Sequence, residues 1–194
     1  MKGMISMKVQ VLGELVAFLP GLNPTRAEKK YHFSVDDYYD QNDFLNDYKV
    51  KKVCGKSCLN HDLGLDEGDI VISVTLQKAA IVSHANVGKV PTLNFVKVEF
   101  KSDVLDKKYF VYLFNEHSSI QRQKARELQG TGSMLRIPIS SLNELKVPII
   151  PLSDQKIIGE AYMKLLKLNT CIDLYKDLMN QSVKLLFEDS IKGV

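Results

Sequence analysis

The sequence predicts an α+β fold in which residues 1–151 form a globular domain with a twisted mixed β-sheet and short helices, followed by one long coiled-coil-type helix, residues 152–194. Short β-branched runs beside glycine turns predict the strands. Prolines recur as far as Pro151 and are absent after it, which permits an unbroken helix from there. Along that segment apolar residues recur every seven positions, a period typical of a helix packed against another helix.

The composition of the 194 residues excludes several classes of protein. With 45% hydrophobic and 25% charged residues, the chain can bury a core, and it is neither disordered nor a disulfide-stapled mini-protein. The formal net charge of +3 permits nucleic-acid binding but does not indicate it. The cysteines number 3, which fits a reducing compartment, and no apolar run approaches the roughly 18 residues of a membrane helix. We therefore expect a cytoplasmic protein that does not enter a membrane.

Short elements and turns should alternate in the first half of the chain. Residues 9–18 place apolar side chains at helical spacing, which predicts a short helix that leads to a turn. Residues 36–47 are rich in Asp, Asn and Tyr, which predicts a polar loop. After a Glu-Gly-Asp turn, the β-branched run 70–75 predicts a buried strand, and residues 79–82 and 93–100 predict two more.

The region before the long helix mixes helical and extended patterns. Residues 109–114 are apolar throughout, which fits either a strand or a buried helix. A polar helix should follow over residues 120–128, with Ser118 or Ser119 as its N-cap. Prolines then predict two short extended pieces, at residues 136–139 and 146–151.

The C-terminal helix would extend roughly 55 Å at 1.5 Å per residue. Ser153 is expected as its N-cap, and Asp154 would complement the positive end of the helix dipole. Because a domain of this size cannot bury such a helix end to end, the sequence predicts a partner helix along an apolar stripe. The stripe repeats every seven residues at Ile158, Leu165, Ile172, Met179 and Leu186. Further apolar residues widen it at Ile157, Cys171, Leu178 and Leu185.

A Cys-x3-Cys-x2-His pattern at Cys54, Cys58 and His61 resembles part of a zinc site. It supplies only three ligands, so a fourth would have to come from distant Cys171 or His84. Cysteines near a turn are more often unligated than metal-bound. We therefore expect neither a metal ion nor a cofactor.

Asp69, Glu99 and Lys101 raise the alternative of a metal-dependent nuclease, in which two carboxylates hold a metal ion and a lysine assists. Glu99 and Lys101 would point to one face of a predicted strand. Such pairs are common on solvated strand faces, and Asp69 also fits a turn. No serine or cysteine lies in a nucleophile-elbow sequence. We therefore expect no catalytic residue and keep the nuclease as the alternative.

Basic residues give a stronger indication of function. Arg122, Lys124 and Arg126 lie on the predicted polar helix, with the two arginines one turn apart. Arg136 follows a glycine turn, and Lys78 lies near another turn. Guanidinium groups donate paired hydrogen bonds that match phosphate oxygens and guanine edges. On charge alone, a solvated helix face is slightly favoured over a nucleic-acid contact.

Residues 128–155 resemble the DNA-specificity (S) subunit of type I restriction–modification systems. A glycine turn leads to an isoleucine-serine strand, to a proline-bracketed strand and then to the motif Pro-Leu-x-x-Gln at 151–155, which starts a long helix. The upstream motifs Leu-Gly-Glu-Leu at 12–15 and Glu-Gly-Asp-Ile-Val-Ile-Ser at 67–73 agree with this family. The resemblance covers nearly the whole chain in the same order, and it implies that residues 109–114 form a helix.

The resemblance implies a non-catalytic subunit that binds double-stranded DNA. The usual member of the family carries two target-recognition domains and two long helices, and it binds two methyltransferase (M) subunits and through them the restriction (R) subunit. This chain resembles a half-subunit, with one target-recognition domain, one helix and no internal repeat. A homodimer through antiparallel C-terminal helices would restore two domains, each reading one half-site of a symmetric bipartite sequence. A further hypothesis is a scaffold that binds methyltransferase without binding DNA.

The same resemblance suggests where DNA would be contacted. Methyl transfer and cleavage would belong to partner subunits, so the chain itself would need only phosphate and base contacts. The residues expected to make them are Lys78, Arg122, Lys124, Arg126, Thr131, Ser133 and Arg136.

Overall fold

The computed structural model describes residues 8–25, 34–51, 63–130 and 135–192. The first part of the domain contains β1 (Lys8–Val11), α1 (Leu12–Leu15), β2 (Val16–Pro20), β3 (Tyr38–Tyr39), α2 (Gln41–Tyr48), β4 (Ile70–Ser73), β5 (Lys78–Ile81), β6 (Val90–Pro91) and β7 (Phe95–Phe100). The second part contains α3 (Lys107–Glu116), α4 (Ser118–Glu127), α5 (Ile139–Glu144), β8 (Lys146–Ile149) and α6 (Leu152–Lys192).

The strands form three short sheets around one antiparallel centre. The central sheet has the order β2-β7-β4-β5, while β1 pairs with β8 antiparallel and β3 pairs with β6 in parallel. In the central sheet Ile70 lies opposite Val98 on one side and Ile81 on the other. Mixed short sheets and helices that end in one long helix confirm the predicted α+β class.

Both faces of the central sheet are buried, which explains why its strands could be predicted from the sequence. Successive residues of a strand point to opposite faces. Ile70 and Ile72 belong to the larger core cluster with Phe110 of α3, whereas Val71 belongs to a second cluster with Phe44 of α2. The predicted strands 70–75, 79–82 and 93–100 are observed with ends that shift by one or two residues.

The N-terminal helix prediction over residues 9–18 is largely wrong. Only α1 is helical, and it lies between two strands. The flanking residues extend because β8 and β7 offer them sheet partners: Val11 pairs with Lys146, and Val16 pairs with Phe100. Tertiary pairing overrides the local apolar spacing here.

The predicted polar loop over residues 36–47 is also wrong, because most of it is α2 and β3. The Asp40 carboxylate accepts a hydrogen bond from the Asp43 amide, and the Asp43 carboxylate accepts one from the Asp40 amide. This reciprocal pair is a capping box that starts the helix. Phe44 then fixes α2 to the sheet by full burial.

Two further predictions differ from the structure: the N-cap of α4 and the secondary structure of the isoleucine-serine segment. Ser118 is the first residue of α4 rather than its cap, and the N-cap His117 makes no side-chain capping bond. The isoleucine-serine segment expected to be a strand is α5. Pro138 lies at the N-cap of α5 with φ −63°, and its carbonyl accepts a hydrogen bond from the Leu142 amide, which starts a helical turn. Residues 107–116 are helical, in agreement with the family resemblance.

The first half of α6 packs against α3. Its helix begins at Leu152, so Ser153 lies in the first turn and is not the N-cap, whereas Asp154 does lie in that turn. A Cβ atom on Gly159 would lie 2.7 Å from both the Lys108 Cβ and the Tyr109 amide nitrogen, which means that only glycine permits this close helix contact.

The second half of α6 has no buried side chain among its described residues. Thr170 is the last partly buried residue, and every side chain described after it, residues 171–188, is exposed. The helix therefore leaves the core after about half of its length. The domain boundary proposed at 151/152 stays a prediction, and side chains in the first half of the helix contribute to the core.

Candidate functional site

The exposed face of α4 carries two arginines. Arg122 and Arg126 are both exposed and lie one helical turn apart. The opposite face anchors the helix through buried Ile120 and through Gln123, whose amide bonds both the N–H (2.8 Å) and the carbonyl (2.9 Å) of Lys146 in β8. The two guanidinium groups thus project from a helix that is fixed to the domain on its other side.

Lys124, predicted to contact DNA, lies in the interior instead. It is 1% exposed, and its ammonium donates to the carbonyls of Phe114 (2.6 Å) and Gln77 (2.9 Å). It also lies 4.2 Å from the centre of the Phe114 ring. Burial and the nearby charge of Lys78 lower the pKa of Lys124 to about 7. This lysine ties α4 to the end of α3 and to the β4–β5 turn, and it is not available to a phosphate.

Lys78 is also engaged within the domain. Its ammonium donates to the Asn115 carbonyl (2.9 Å) and forms an ion pair with the Glu116 carboxylate (3.1 Å). The Asn115 amide in turn bonds the N–H (2.7 Å) and carbonyl (2.9 Å) of Ala79 on the edge strand β5. Lys78 and Asn115 therefore join α3 to the sheet edge, so the DNA role predicted for Lys78 competes with a structural one.

Arg136 is exposed and held in place by its backbone. Its N–H donates to the Gln129 carbonyl (2.8 Å), and its carbonyl accepts from the Gln129 N–H (2.9 Å). Its guanidinium donates to the Asn94 side-chain oxygen at 3.2 Å. Nothing in the local sequence pointed to Asn94, because this contact joins residues 42 positions apart. Thr131 and Ser133 lie outside the described residues.

Two of the three residues proposed for a nuclease contact other residues of the domain. The Asp69 carboxylate pairs with the Lys97 ammonium at 2.6 Å, and the Lys101 ammonium donates to the Gly13 carbonyl. Glu99 is exposed on β7 and lies opposite Ala17 of β2. Asp69 and Lys101 thus have structural contacts, and the nuclease stays an alternative.

The described residues offer no metal centre. Cys54, Cys58 and His61 lie outside them, and no group of three or more metal-ligating side chains occurs within residues 8–25, 34–51, 63–130 and 135–192. Of the two proposed fourth ligands, His84 contacts the Glu67 carboxylate at 3.2 Å and Cys171 is an exposed free thiol. Within the same ranges no helix is both long and apolar enough to cross a membrane.

The predicted stripe of α6 contacts the core only at its first member. Ile158 is partly buried against the core, so it belongs to the domain contact. The other four members are about half exposed or more: Leu165 50%, Ile172 55%, Met179 49% and Leu186 65%.

The exposed face of α6 contains two further apolar residues that the predicted seven-residue repeat did not include. Leu168 and Tyr175 are 56% and 66% exposed, and each follows a stripe residue by three positions. Alternate spacings of three and four residues keep side chains on one face of a helix that packs against another helix. That spacing is the sequence signal that could have identified them.

Gln155 of the Pro-Leu-x-x-Gln motif has a clear structural role. It is 1% exposed, and its amide accepts from the Asp106 N–H (2.9 Å) and donates to the carbonyls of Val104 (2.9 Å) and Ile150 (2.8 Å). One side chain thus satisfies three backbone groups where the long helix joins the domain.

Solved structures of S subunits match most of this chain. The type I restriction–modification S subunit from M. genitalium matches 97% of the chain with a TM-score of 0.59 at 15% identity, and the match covers 47% of that protein. The HsdS subunit from Thermoanaerobacter tengcongensis matches 86% with a TM-score of 0.55 at 17% identity, which covers 38% of it. A chain from a structure on complex assembly and conformational transition of the type I R-M system matches 92% with a TM-score of 0.57 at 14% identity, covering 42% of it.

These matches establish the fold of the chain. It spans less than half the length of each matched protein, as expected for a half-length form with a single target-recognition domain. The sequence matches no protein-family model and no curated protein.

Proposed function

We propose that this chain is a non-catalytic, sequence-specific DNA-binding subunit of a type I restriction–modification system, that each copy reads one half-site, and that it docks methyltransferase subunits. The observation that carries the proposal is its fold, which matches S subunits over nearly the whole chain but covers less than half of each. The matched protein from the study of complex assembly supports association with other subunits.

A second copy of the chain would supply the missing half. The exposed stripe formed by Leu165, Leu168, Ile172, Tyr175 and Met179 has no counterpart among the described residues of the same chain, and an identical stripe on a second copy would cover it. Isologous pairing about a two-fold axis is the usual way in which a single surface becomes self-complementary. With antiparallel helices the two domains would lie at opposite ends, and the helix pair would set the distance between half-sites.

The direction of the helices can be measured by a spin label at exposed residue 188. The label is attached through Glu188→Cys in a background in which the three native cysteines, Cys54, Cys58 and Cys171, are replaced by serine. If antiparallel helices cross near Ile172, two labels should lie roughly 50 Å apart, from 16 residues on each side at 1.5 Å per residue. Parallel helices would bring them within roughly 25 Å, from an interaxial distance of 8–10 Å plus the label arms. The shorter distance would contradict the antiparallel arrangement.

DNA binding would rest on the exposed arginines, with phosphate contacts made first by the two on α4. Arg122 and Arg126 lie on the outer face of α4, and Arg136 lies close after it in the chain. Because phosphate contacts release counterions, affinity should fall steeply with salt. Buried Lys124 is no longer expected to contact DNA, and the three exposed arginines remain as the basic contacts.

The most direct test is methylome sequencing of cells that express the chain with its cognate methyltransferase. We expect a methylated bipartite sequence with two symmetric halves, which should disappear when the chain is deleted. Methylation that does not depend on the chain would contradict the proposal. If the purified chain binds the methyltransferase but shows no DNA binding at low salt, the scaffold hypothesis is correct instead.

A further inference from the structure

We infer that the DNA bases are read at one end of the central sheet by Arg136 and Asn94, with Leu76 and Leu93 as apolar contacts beside them. We call these four residues the turn surface. The inference rests on the proposed function, and it adds which part of the domain faces the base edges of double-stranded DNA.

Contacts between distant segments bring the turn surface together. Leu76 lies in the β4–β5 turn, and Leu93 and Asn94 lie in the β6–β7 turn. The two turns are joined because the Val74 N–H donates to the Asn94 carbonyl at 3.0 Å. Arg136 reaches the same place, since its guanidinium donates to the Asn94 side-chain oxygen at 3.2 Å. Three separate chain segments thus meet at one end of the sheet.

Each segment is held by hydrogen bonds, which favour the preorganisation that a base-reading site requires. The Lys124 ammonium binds the carbonyl of Gln77 in the β4–β5 turn, where Gln77 has a left-handed φ of 56°. The β6–β7 turn closes through a hydrogen bond of 2.9 Å from the Phe95 N–H to the Thr92 carbonyl. Arg136 is fixed by its two backbone hydrogen bonds to Gln129. The buried lysine therefore supports the surface from inside the domain.

The side chains at this end match the chemistry of the major groove. A guanidinium group pairs with the N7 and O6 acceptors of guanine, and an asparagine amide pairs with the N6 and N7 atoms of adenine. The Arg136 guanidinium carries five N–H donors, and its bond to Asn94 uses one of them. Leu76 and Leu93 are 41% and 51% exposed, which suits contact with thymine methyl groups.

The arginines of α4 lie beside this surface in the chain and have a different task. Arg126 is three residues before Gln129, which pairs with Arg136. Phosphate contacts fix the register of a protein on DNA, whereas base contacts give its sequence preference. We therefore assign Arg122 and Arg126 to phosphates and the turn surface to bases.

The two tasks can be separated by selecting bound sequences from a randomised duplex pool with the purified chain of 194 residues. Arg136→Ala combined with Asn94→Ala should reduce discrimination at one or two base pairs by roughly 5- to 150-fold each, the equivalent of a lost bidentate contact. Arg136→Lys keeps the charge but loses the planar fork, so it should show the same loss of preference at the base pair that Arg136 reads.

Two controls distinguish base recognition from sequence-independent binding to DNA. Arg122→Ala with Arg126→Ala should weaken binding to all sequences alike and lower the salt slope by about one per arginine, without changing the preferred sequence. Leu63→Ser, at a leucine whose 42% exposure matches the 41% of Leu76, should leave the preference intact, whereas Leu76→Ser should weaken it.

The outcomes separate this inference from the proposed function. An unchanged preferred sequence in the Arg136→Ala, Asn94→Ala variant would overturn the assignment of the turn surface alone. A wild-type chain that selects no preferred sequence would overturn the proposed function, and the inference would fall with it. Circular dichroism spectra that match the wild-type spectrum establish that the variants are folded.

Discussion

The two halves of α6 have similar apolar content but opposite surroundings. In the first half, Gln155 and Tyr162 are 1% and 6% exposed, and they fix the helix to α3 and to the sheet region. In the second half, Tyr175 is 66% exposed and no described side chain after Thr170 is buried. The same helix therefore acts first as part of a core and then as a free apolar surface. Heptad periodicity reveals an apolar face, but it does not say which part of that face is covered within the chain.

The largest expected difference between the halves is in the response of two tyrosines to alanine. Tyr162 packs its ring at 5.7 Å from that of Tyr112 and donates to the Glu116 carboxylate. Tyr162→Ala should lower the free energy of unfolding by about 3–5 kcal/mol, as for other buried aromatic truncations. Tyr175→Ala should change it by less than about 0.5 kcal/mol.

This comparison is measured by urea unfolding in a background with both Leu165→Asp and Ile172→Asp, because association would otherwise make stability depend on protein concentration. Equal losses for the two tyrosines would contradict the division of the helix. Gly159→Leu gives an independent check at the same interface, since added side-chain atoms would meet the α3 backbone.

A smaller effect is expected from the amide that joins the helix to the domain. Gln155→Leu keeps the volume but leaves the Asp106 N–H and the Val104 and Ile150 carbonyls without their partner. We expect a loss of about 2–3 kcal/mol, because buried backbone groups without partners are costly. Gln181→Leu, on the exposed half, is the matched control and should be nearly neutral. Thermal or urea unfolding of both variants tests the pair.

The last effect, which is the smallest when it is counted per pH unit, is a pH dependence of stability. It arises where α3, which packs against α6, meets α4. Burial lowers the pKa of Lys124 to about 7 in the folded protein from 10.5. Between these values the unfolded chain binds more protons, so the free energy of unfolding should rise with pH across this window. The slope contributed by one such group is at most about 1.4 kcal/mol per pH unit.

The neutral amine keeps two N–H donors for the carbonyls of Phe114 and Gln77, so the contact survives deprotonation. Lys124→Met should remove this rise of stability from pH 7 to 10 relative to the wild type. Parallel pH profiles of the two proteins would contradict the assignment of a lowered pKa to Lys124.

The sequence was most informative where one physical requirement dominates. Strand β4 was predicted from its β-branched run because both of its faces are buried, which leaves little choice of residue type. The long helix was predicted because its repeat is uninterrupted by proline. Asp40 and Asp43 were misassigned to a loop, since the same residue types favour turns and capping boxes.

The candidate site was less predictable because it depends on contacts between distant segments. Lys124 shares the polar helix with Arg122 and Arg126, and only the docking of α4 on α3 decides which of the three is buried. Asn94 lies 42 residues from Arg136, and no local pattern marks it. The family resemblance identified Gln155 as part of a motif but gave no reason for it, which the three backbone contacts now supply.

The central claim is that the exposed apolar stripe of α6 pairs with a second copy of the chain. The molar mass in solution, measured by light scattering after size exclusion, tests it most directly. We expect twice the chain mass of 21.9 kDa for the wild type and for Leu174→Asp, which is exposed but lies off the stripe. Leu165→Asp combined with Ile172→Asp should give 21.9 kDa with an unchanged circular dichroism spectrum per residue. A monomeric wild type, or a dimer that survives the double substitution, would contradict the claim.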